Sequence, residues 1–123
     1  MGLDQYANAR KGEPTLDEDG YKHWEDSKEL AYWRKHPNLQ GFMERIYIAK
    51  GGTEEFNCVD VELDLSDINT LEVCVKGDEL PETGGFFFGD DSSDYYKESD
   101  LEFCANARKA LADGQTVVYS SWW

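Results

Sequence analysis

Residues 58–65 alternate between apolar and acidic side chains, and this alternation constrains the fold more than any other pattern in the chain. The apolar positions are Val59, Val61, Leu63 and Leu65, and the acidic positions between them are Asp60, Glu62 and Asp64. Because successive side chains of a strand point to opposite faces, the pattern predicts a strand with one face in a core and one acidic face toward water. A sheet that contains this strand must therefore be covered on one side.

Other segments predict the rest of this sheet and its cover. The predicted strands are residues 3–10, 29–34, 85–89 and 115–121, and the predicted helices are residues 37–50, 67–76 and 99–112. Short strands, one of them alternating rather than wholly apolar, favour an α+β fold over a parallel α/β fold. We expect a single domain, residues 1–123, with a mixed or antiparallel sheet of about four or five strands and about three helices packed mainly on one face.

Capping residues and glycines predict the helix boundaries. Pro37 suits the first turn of the first helix, and Gly51 follows its end. Ser66 is the predicted N-cap of the second helix. Residues 99–102 match a capping box at the start of the third helix, and residues 95–97 either extend this helix toward its N-terminus or form a separate turn. The predicted inward face of that helix consists of Leu101, Cys104, Ala105, Leu111 and Ala112.

The charge of the chain limits its partners. It has 12 basic and 26 acidic residues, a formal net charge of −14. Residues 1–50 carry 8 basic and 9 acidic side chains, whereas residues 51–123 carry 4 and 17. Because phosphate backbones repel so acidic a chain, we expect no nucleic-acid partner. The sequence also lacks an export signal and any apolar window long enough for a membrane span, so we expect a cytoplasmic protein without membrane contact.

The three cysteines, Cys58, Cys74 and Cys104, are odd in number and their spacing fits neither a disulfide framework nor a zinc site. Each lies among apolar neighbours, so we predict buried thiols in a reducing compartment. The acidic loops at residues 15–26 and 90–94 do not match the ligand pattern of a calcium loop. We therefore expect no bound metal and no cofactor.

Five short segments carry a resemblance to a known family. They are MGLD at residues 1–4, ELAYWRK at 29–35, GFFFG at 85–89, DYY at 94–96 and SSW at 120–122. With these segments the chain resembles a family of small uncharacterised proteins that tailed bacteriophages and bacteria encode. The resemblance implies a phage or prophage origin and an intracellular setting in the host cytoplasm. It implies no catalytic role for any residue.

One candidate site surrounds four residues that directly precede Pro37 and that we call the cationic cluster: Trp33, Arg34, Lys35 and His36. The free amides and the dipole of a helix N-terminus favour an anion. Aromatic residues brought to this cluster would stack on a nucleotide base. The candidate nucleotide- or phosphate-binding residues are Trp33, Arg34, Lys35, His36, Phe87, Tyr95 and Tyr96. In the alternative interpretation, the cations neutralise nearby carboxylates and the aromatic residues fill the core.

A second candidate is an acidic interaction face on and after the alternating strand. Its residues are Asp60, Glu62, Asp64, Asp67 and Glu72. Carboxylates that follow one another on one face of a strand are about 6.6 Å apart, and such a row can imitate a phosphate backbone toward a basic host protein. The alternative is a solvated face that keeps the protein soluble.

Three functions stay open from the sequence. The leading one is a small, acidic, non-enzymatic bacteriophage accessory protein that binds a host protein. The second is a small-ligand binder or enzyme that uses the cationic cluster. The third is a subunit of a homo-oligomer, in which Trp122 and Trp123 anchor the subunit contact. No sequence motif places a nucleophile beside His23 or His36, so the sequence favours a protein that is not an enzyme.

Overall fold

Two antiparallel sheets and three helices make up the described part of the chain. The structure is a computed structural model, and it describes residues 3–12, 14–20, 22–24, 26–80 and 93–122. Its elements in chain order are β1 (Asp4–Lys11), β2 (Thr15–Leu16), β3 (Lys22–His23), β4 (Asp26–Arg34), α1 (Pro37–Ala49), β5 (Asp60–Leu63), α2 (Leu65–Lys76), α3 (Ser93–Ala112) and β6 (Thr116–Trp122). The predicted α+β fold is confirmed. The strand predicted at residues 85–89 lies outside the described residues.

The larger sheet has the strand order β4-β1-β6-β5, and every neighbouring pair is antiparallel. β1 and β6, from opposite ends of the chain, pair in the middle of the sheet with Asp4 opposite Trp122 and Arg10 opposite Thr116. β2 and β3 pair separately as a short two-stranded sheet. Of the two predicted arrangements, mixed or antiparallel, the described strands form the antiparallel one.

Burial alternates along β1 and distinguishes two faces of the larger sheet. Gln5, Ala7 and Ala9 are buried on the face that the helices cover, which we call the inner face. Tyr6 and Arg10 occupy the alternate positions and lie on the opposite, outer face. The same alternation places Val61 and Leu63 of β5 on the inner face and Asp60 and Glu62 on the outer face. The acidic outer face of this strand is thus as predicted.

The end of the alternating segment differs from the prediction. β5 ends at Leu63, and Leu65 is the first residue of α2 with 52% of its surface exposed. The N-cap is Asp64 rather than Ser66, because the Asp64 carboxylate accepts the Asp67 N–H and the Asp67 carboxylate accepts the Asp64 N–H, both at 2.9 Å. An N-cap has an extended backbone, so Asp64 continues the strand-like alternation while it starts a helix.

α3 begins at Ser93, so residues 95–97 belong to the helix rather than to a separate turn. Residues 99–102 lie inside the helix and do not form a capping box at its start. Its buried face includes Asp100, Phe103, Ala107 and Ala110 in addition to Cys104. Of the predicted inward residues, Leu101 and Leu111 are half-buried, whereas Ala105 and Ala112 are exposed. The prediction was wrong because an aspartate occupies a core position and interrupts the apolar stripe.

α1 matches its prediction, and α2 ends at Lys76 as predicted although it begins two residues earlier. α1 begins at Pro37 and buries Leu39, Phe42 and Met43 against the sheet. α2 buries Ile68, Leu71 and Val75 and packs along α3. None of the helices in the described segments is long and apolar enough to cross a lipid bilayer.

Candidate functional site

A buried network of polar side chains lies between β1, α1 and β6. Gln5 Nε2 donates to the His36 carbonyl at 3.0 Å and to the Tyr119 hydroxyl at 2.9 Å. The Tyr119 hydroxyl donates in turn to Gln40 Oε1 at 2.6 Å. Burial raises the pKa of Tyr119, so its hydroxyl stays a hydrogen-bond donor. The network is satisfied internally and ties both ends of the chain to the first helix.

Asp100 extends this network to α3. Its carboxylate lies 2.8 Å from His36 Nε2 and accepts the indole N–H of Trp33 at 2.9 Å. The side chains of His36 and Asp100 are 0% and 1% exposed. Through these two contacts, Asp100 links α3 to the end of β4 and to the residue that precedes α1.

The cationic cluster is therefore divided between the core and the surface. Trp33 and His36 are buried, while Arg34 and Lys35 are exposed. Tyr96 does come to the cluster: its ring stacks on His36 with centroids 4.7 Å apart, and its hydroxyl donates to the Arg34 carbonyl at 2.5 Å. This burial favours the alternative interpretation, in which the aromatic residues fill the core. Phe87 and the side chain of Tyr95 lie outside the described residues.

The five residues of the predicted acidic face are separated into three places. Asp60 and Glu62 lie on the outer face of β5, whereas Asp64 and Asp67 lie at the N-terminus of α2. Lys50 pairs with both residues at the helix end, its Nζ lying 3.9 Å from Asp64 and 2.7 Å from Asp67. The N–H of Asp67 holds the pKa of Asp64 below its usual value.

Glu72 lies farther along α2 and is paired with α3. Arg108 Nη1 donates to Glu72 Oε2 at 2.7 Å, and this bond holds the pKa of Glu72 below its usual value. The structure thus places Asp60 and Glu62 on one face of β5, and it pairs Asp64 and Asp67 with Lys50 and Glu72 with Arg108.

A cavity of about 840 Å³ opens on the outer face beside β5. Its lining contains the two outer-face carboxylates of β5, a third carboxylate, two aromatic rings and one guanidinium. The lining residues are Arg10, Gly20, Trp24, Ser27, Tyr47, Glu54, Asn57, Cys58, Val59, Asp60, Glu62 and Val118. Among the residues that the structure describes, this wall has three carboxylates and one guanidinium, which is an excess of negative charge. A negative wall with aromatic rings suits a cationic group.

The guanidinium of Arg10 lies inside this cavity. Its Cζ stands 4.8 Å from the centre of the Trp24 ring, and its Nη1 lies 3.3 Å from Asp60 Oδ2. The Arg10 side chain is 17% exposed and the Asp60 side chain is 50% exposed. The indole N–H of Trp24 is buried and has no hydrogen-bond partner in the part of the chain that the structure describes. Arg10 thus holds Trp24 over the outer face of the sheet.

Cys58 forms part of the cavity wall and is exposed, which contradicts the prediction of three buried thiols. Its N–H donates to the Ser121 carbonyl at 2.7 Å and its φ is +61°, so the chain turns here before β5 begins. Cys104 is buried, as predicted, whereas Cys74 is only half-buried. Burial raises the pKa of Cys104 to about 12.

Sequence reasoning missed Arg10, Trp24, Tyr47 and Glu54 as members of one site. They come from β1, the segment before β4, α1 and the loop after it. The one sequence signal that could have indicated this site is Trp24, a large aromatic residue within a polar stretch. No group of three or more His, Cys, Asp or Glu side chains within the described ranges is placed to hold a metal ion.

Comparison of the chain with protein-family models, with curated proteins and with solved structures gives no match, so the function is argued from the geometry of the site.

Proposed function

We propose that the protein is not an enzyme and acts by binding a basic segment of a partner protein in the cavity beside β5. The observation that carries this proposal is the lining of that cavity by three carboxylates, Glu54, Asp60 and Glu62, and two aromatic rings, Trp24 and Tyr47. The resemblance to phage proteins makes a basic protein of the host cell the expected partner.

The chemistry of the lining supports a lysine- or arginine-bearing segment over an anionic or apolar ligand. Carboxylates attract the cation over a distance of about 10 Å at moderate ionic strength, and an aromatic face adds about 0.5–1 kcal/mol at a partly exposed site. The net charge of −14 contributes long-range attraction in the same direction. A nucleotide or phosphate site at the cationic cluster has less support, because Trp33 and His36 are buried and do not face solvent.

The test is a titration with a short fluorescent peptide rich in arginine and lysine, followed by anisotropy at low and at high salt. We expect binding that weakens steeply as salt rises. A Glu54→Gln, Glu62→Gln double variant should bind at least about fivefold more weakly. The matched control replaces Glu98 and Glu102 with Gln, because both are exposed on α3 and neither lines the cavity.

Two results would contradict the proposal. The first is an absence of binding at low salt. The second is an equal loss of affinity in the α3 control, which would mean that the peptide is attracted by the net charge of the protein and does not bind specifically at the cavity. A peptide of the same length in which glutamate replaces the basic residues should not bind.

A second candidate function, self-association, rests on the aromatic side chains at the open end of the outer face. The rings of Tyr6 and Tyr32 lie 5.1 Å apart, and Trp122, two positions beyond the residue opposite Tyr6, is 54% exposed. A second copy of the chain is the expected occupant of this surface. Light scattering of the wild type and of Trp122→Ala tests it: a dimer that the substitution dissociates supports the contact, and a monomeric wild type excludes it.

A further inference from the structure

Arg10 already shows what the cavity can bind. Its guanidinium has an aromatic face on one side, at 4.8 Å from the Trp24 ring, and a carboxylate oxygen of Asp60 at 3.3 Å. These are the two groups that recognise arginine best, because the planar guanidinium both stacks on a ring and donates to a carboxylate. The site is therefore occupied by a cation from its own chain.

We infer that Trp24 and Asp60 form a guanidinium subsite, which Arg10 fills in the free protein and which an arginine side chain of the partner takes over on binding. This inference rests on the proposed function, since the incoming arginine belongs to the basic segment. It adds the chemical class of the recognised group and an internal competitor for it.

The position of Arg10 supports the exchange. Arg10 lies on β1 and Asp60 on β5, and these strands are separated by β6, so the side chain must extend across a neighbouring strand to reach its partner. Holding so long a side chain in one extended conformation costs entropy. Asp60 is half-exposed, so an arriving arginine reaches the carboxylate from solvent.

The charge of the lining makes the exchange selective. When Arg10 leaves, Asp60 loses the ion pair that the structure shows for it, and Trp24 loses the guanidinium beside its ring. A guanidinium restores both the ring contact and the carboxylate contact. A lysine ammonium restores the charge but lacks the plane that stacks and the second donor of the fork.

The experiment compares Arg10→Met with Arg45→Met. Methionine keeps much of the apolar stem of arginine, and Arg45 is an exposed arginine on α1 outside the cavity, so both variants change net charge equally. We expect Arg10→Met to bind an arginine-only peptide about five- to tenfold more tightly than the wild type. Arg45→Met should gain less than about twofold, because salt screens a distant exposed charge. A lysine-only peptide should gain less from Arg10→Met than the arginine peptide does.

A direct test of the subsite uses N-methylguanidinium and the fluorescence of Trp24, taken as the difference from a Trp24→Phe variant. In the Arg10→Met variant, N-methylguanidinium should change the Trp24 fluorescence up to a plateau and should raise the melting temperature. In the double variant Arg10→Met, Asp60→Asn, it should cause neither change. Should Arg10→Met fail to fold, Arg10→Lys takes its place, with a smaller expected gain of about twofold to threefold.

Three results would overturn the inference. Arg10→Met could bind the arginine peptide no more tightly than Arg45→Met does, or it could gain as much affinity for the lysine peptide. The third result is that N-methylguanidinium binds equally well with and without Asp60→Asn. The proposed function fails separately, when the wild type binds no basic peptide at low salt. In that case saturation of Arg10→Met by N-methylguanidinium, abolished by Asp60→Asn, still establishes the subsite.

Discussion

The imidazole of His36 lies 2.8 Å from the carboxylate of Asp100, and both side chains are shielded from solvent. Asp100 also accepts the indole N–H of Trp33 at 2.9 Å. One carboxylate of α3 therefore satisfies two buried polar groups that flank the end of β4. Trp33 and His36, which the sequence suggests as ligand-binding residues, thus connect α3 to the end of β4.

Replacing Asp100 by alanine should destabilise the protein by about 3–5 kcal/mol, because the change removes a buried carboxylate that both the imidazole of His36 and the indole N–H of Trp33 contact. Asp100→Asn should cost less, about 1–3 kcal/mol, since the amide oxygen still accepts the Trp33 N–H. Urea unfolding with unchanged slope measures the difference. Asp113→Asn, at an exposed position after α3, is the control and should change stability by less than about 0.5 kcal/mol. An Asp100→Ala variant as stable as this control would refute the structural role.

Asp64→Ala should destabilise the protein by about 0.5–2 kcal/mol near neutral pH, because it removes the N-cap of α2. Ser66→Ala should change stability by less than about 0.5 kcal/mol, because Ser66 is exposed and does not cap the helix. Urea unfolding of the two variants separates the observed cap from the one that the sequence predicts. Equal losses in both would contradict the assignment.

The contribution of Asp64 should depend on pH. The N–H of Asp67 holds the pKa of Asp64 below its ordinary value of about 3.9, so the folded state favours the ionised carboxylate. Its stabilisation is fully present above that ordinary value and is lost as the pH falls through the lower pKa of the folded state. The difference in unfolding free energy between wild type and Asp64→Ala should therefore shrink in acid. A difference that stays constant from neutral pH to strong acid would contradict this linkage.

The three thiols should react with an alkylating reagent in the order Cys58, Cys74, Cys104. Cys58 is exposed, whereas burial raises the pKa of Cys74 and raises that of Cys104 to about 12. The thiolate is the reactive form, so at pH 8 a thiol with a pKa near 12 is ionised in roughly one molecule in ten thousand. Mass spectrometry of peptides from timed samples gives the order. Modification of Cys104 in the native protein as fast as Cys58 would contradict its burial, and denaturant should make the three rates similar.

Local periodicity explains which elements were predictable. The apolar spacing of residues 37–50 and the alternation of residues 58–63 each involve neighbours in sequence, and the structure has a helix and a strand there. The end of the alternation was wrong because Asp64 satisfies two patterns at once, an extended residue and a helix cap. Periodicity does not distinguish them, since an N-cap has strand-like dihedral angles.

Long-range pairing explains what was not predictable. The start of α3 stayed open because residues 99–102 resemble a capping box although they lie inside the helix. Asp100 was not predicted to face inward, since its place in the core depends on Trp33 and His36, more than sixty residues away. The candidate cavity depends in the same way on Arg10 reaching Asp60 across β6. Cys58 lies among apolar neighbours in sequence, yet a turn with positive φ exposes it.

By itself, the sequence determined the class of fold and the excess of negative charge. Periodicity depends only on residues that are neighbours along the chain, and net charge is a sum over all residues wherever they lie. Tertiary structure decided which charges stay available to a partner. The strand order β4-β1-β6-β5 brings Arg10 to Asp60, and the packing of α1 and α3 brings Lys50 to Asp67 and Arg108 to Glu72. Two residues of the acidic row, Asp60 and Glu62, thereby line a cavity together with Arg10, since electrostatic contacts depend on distance in space rather than on distance along the chain.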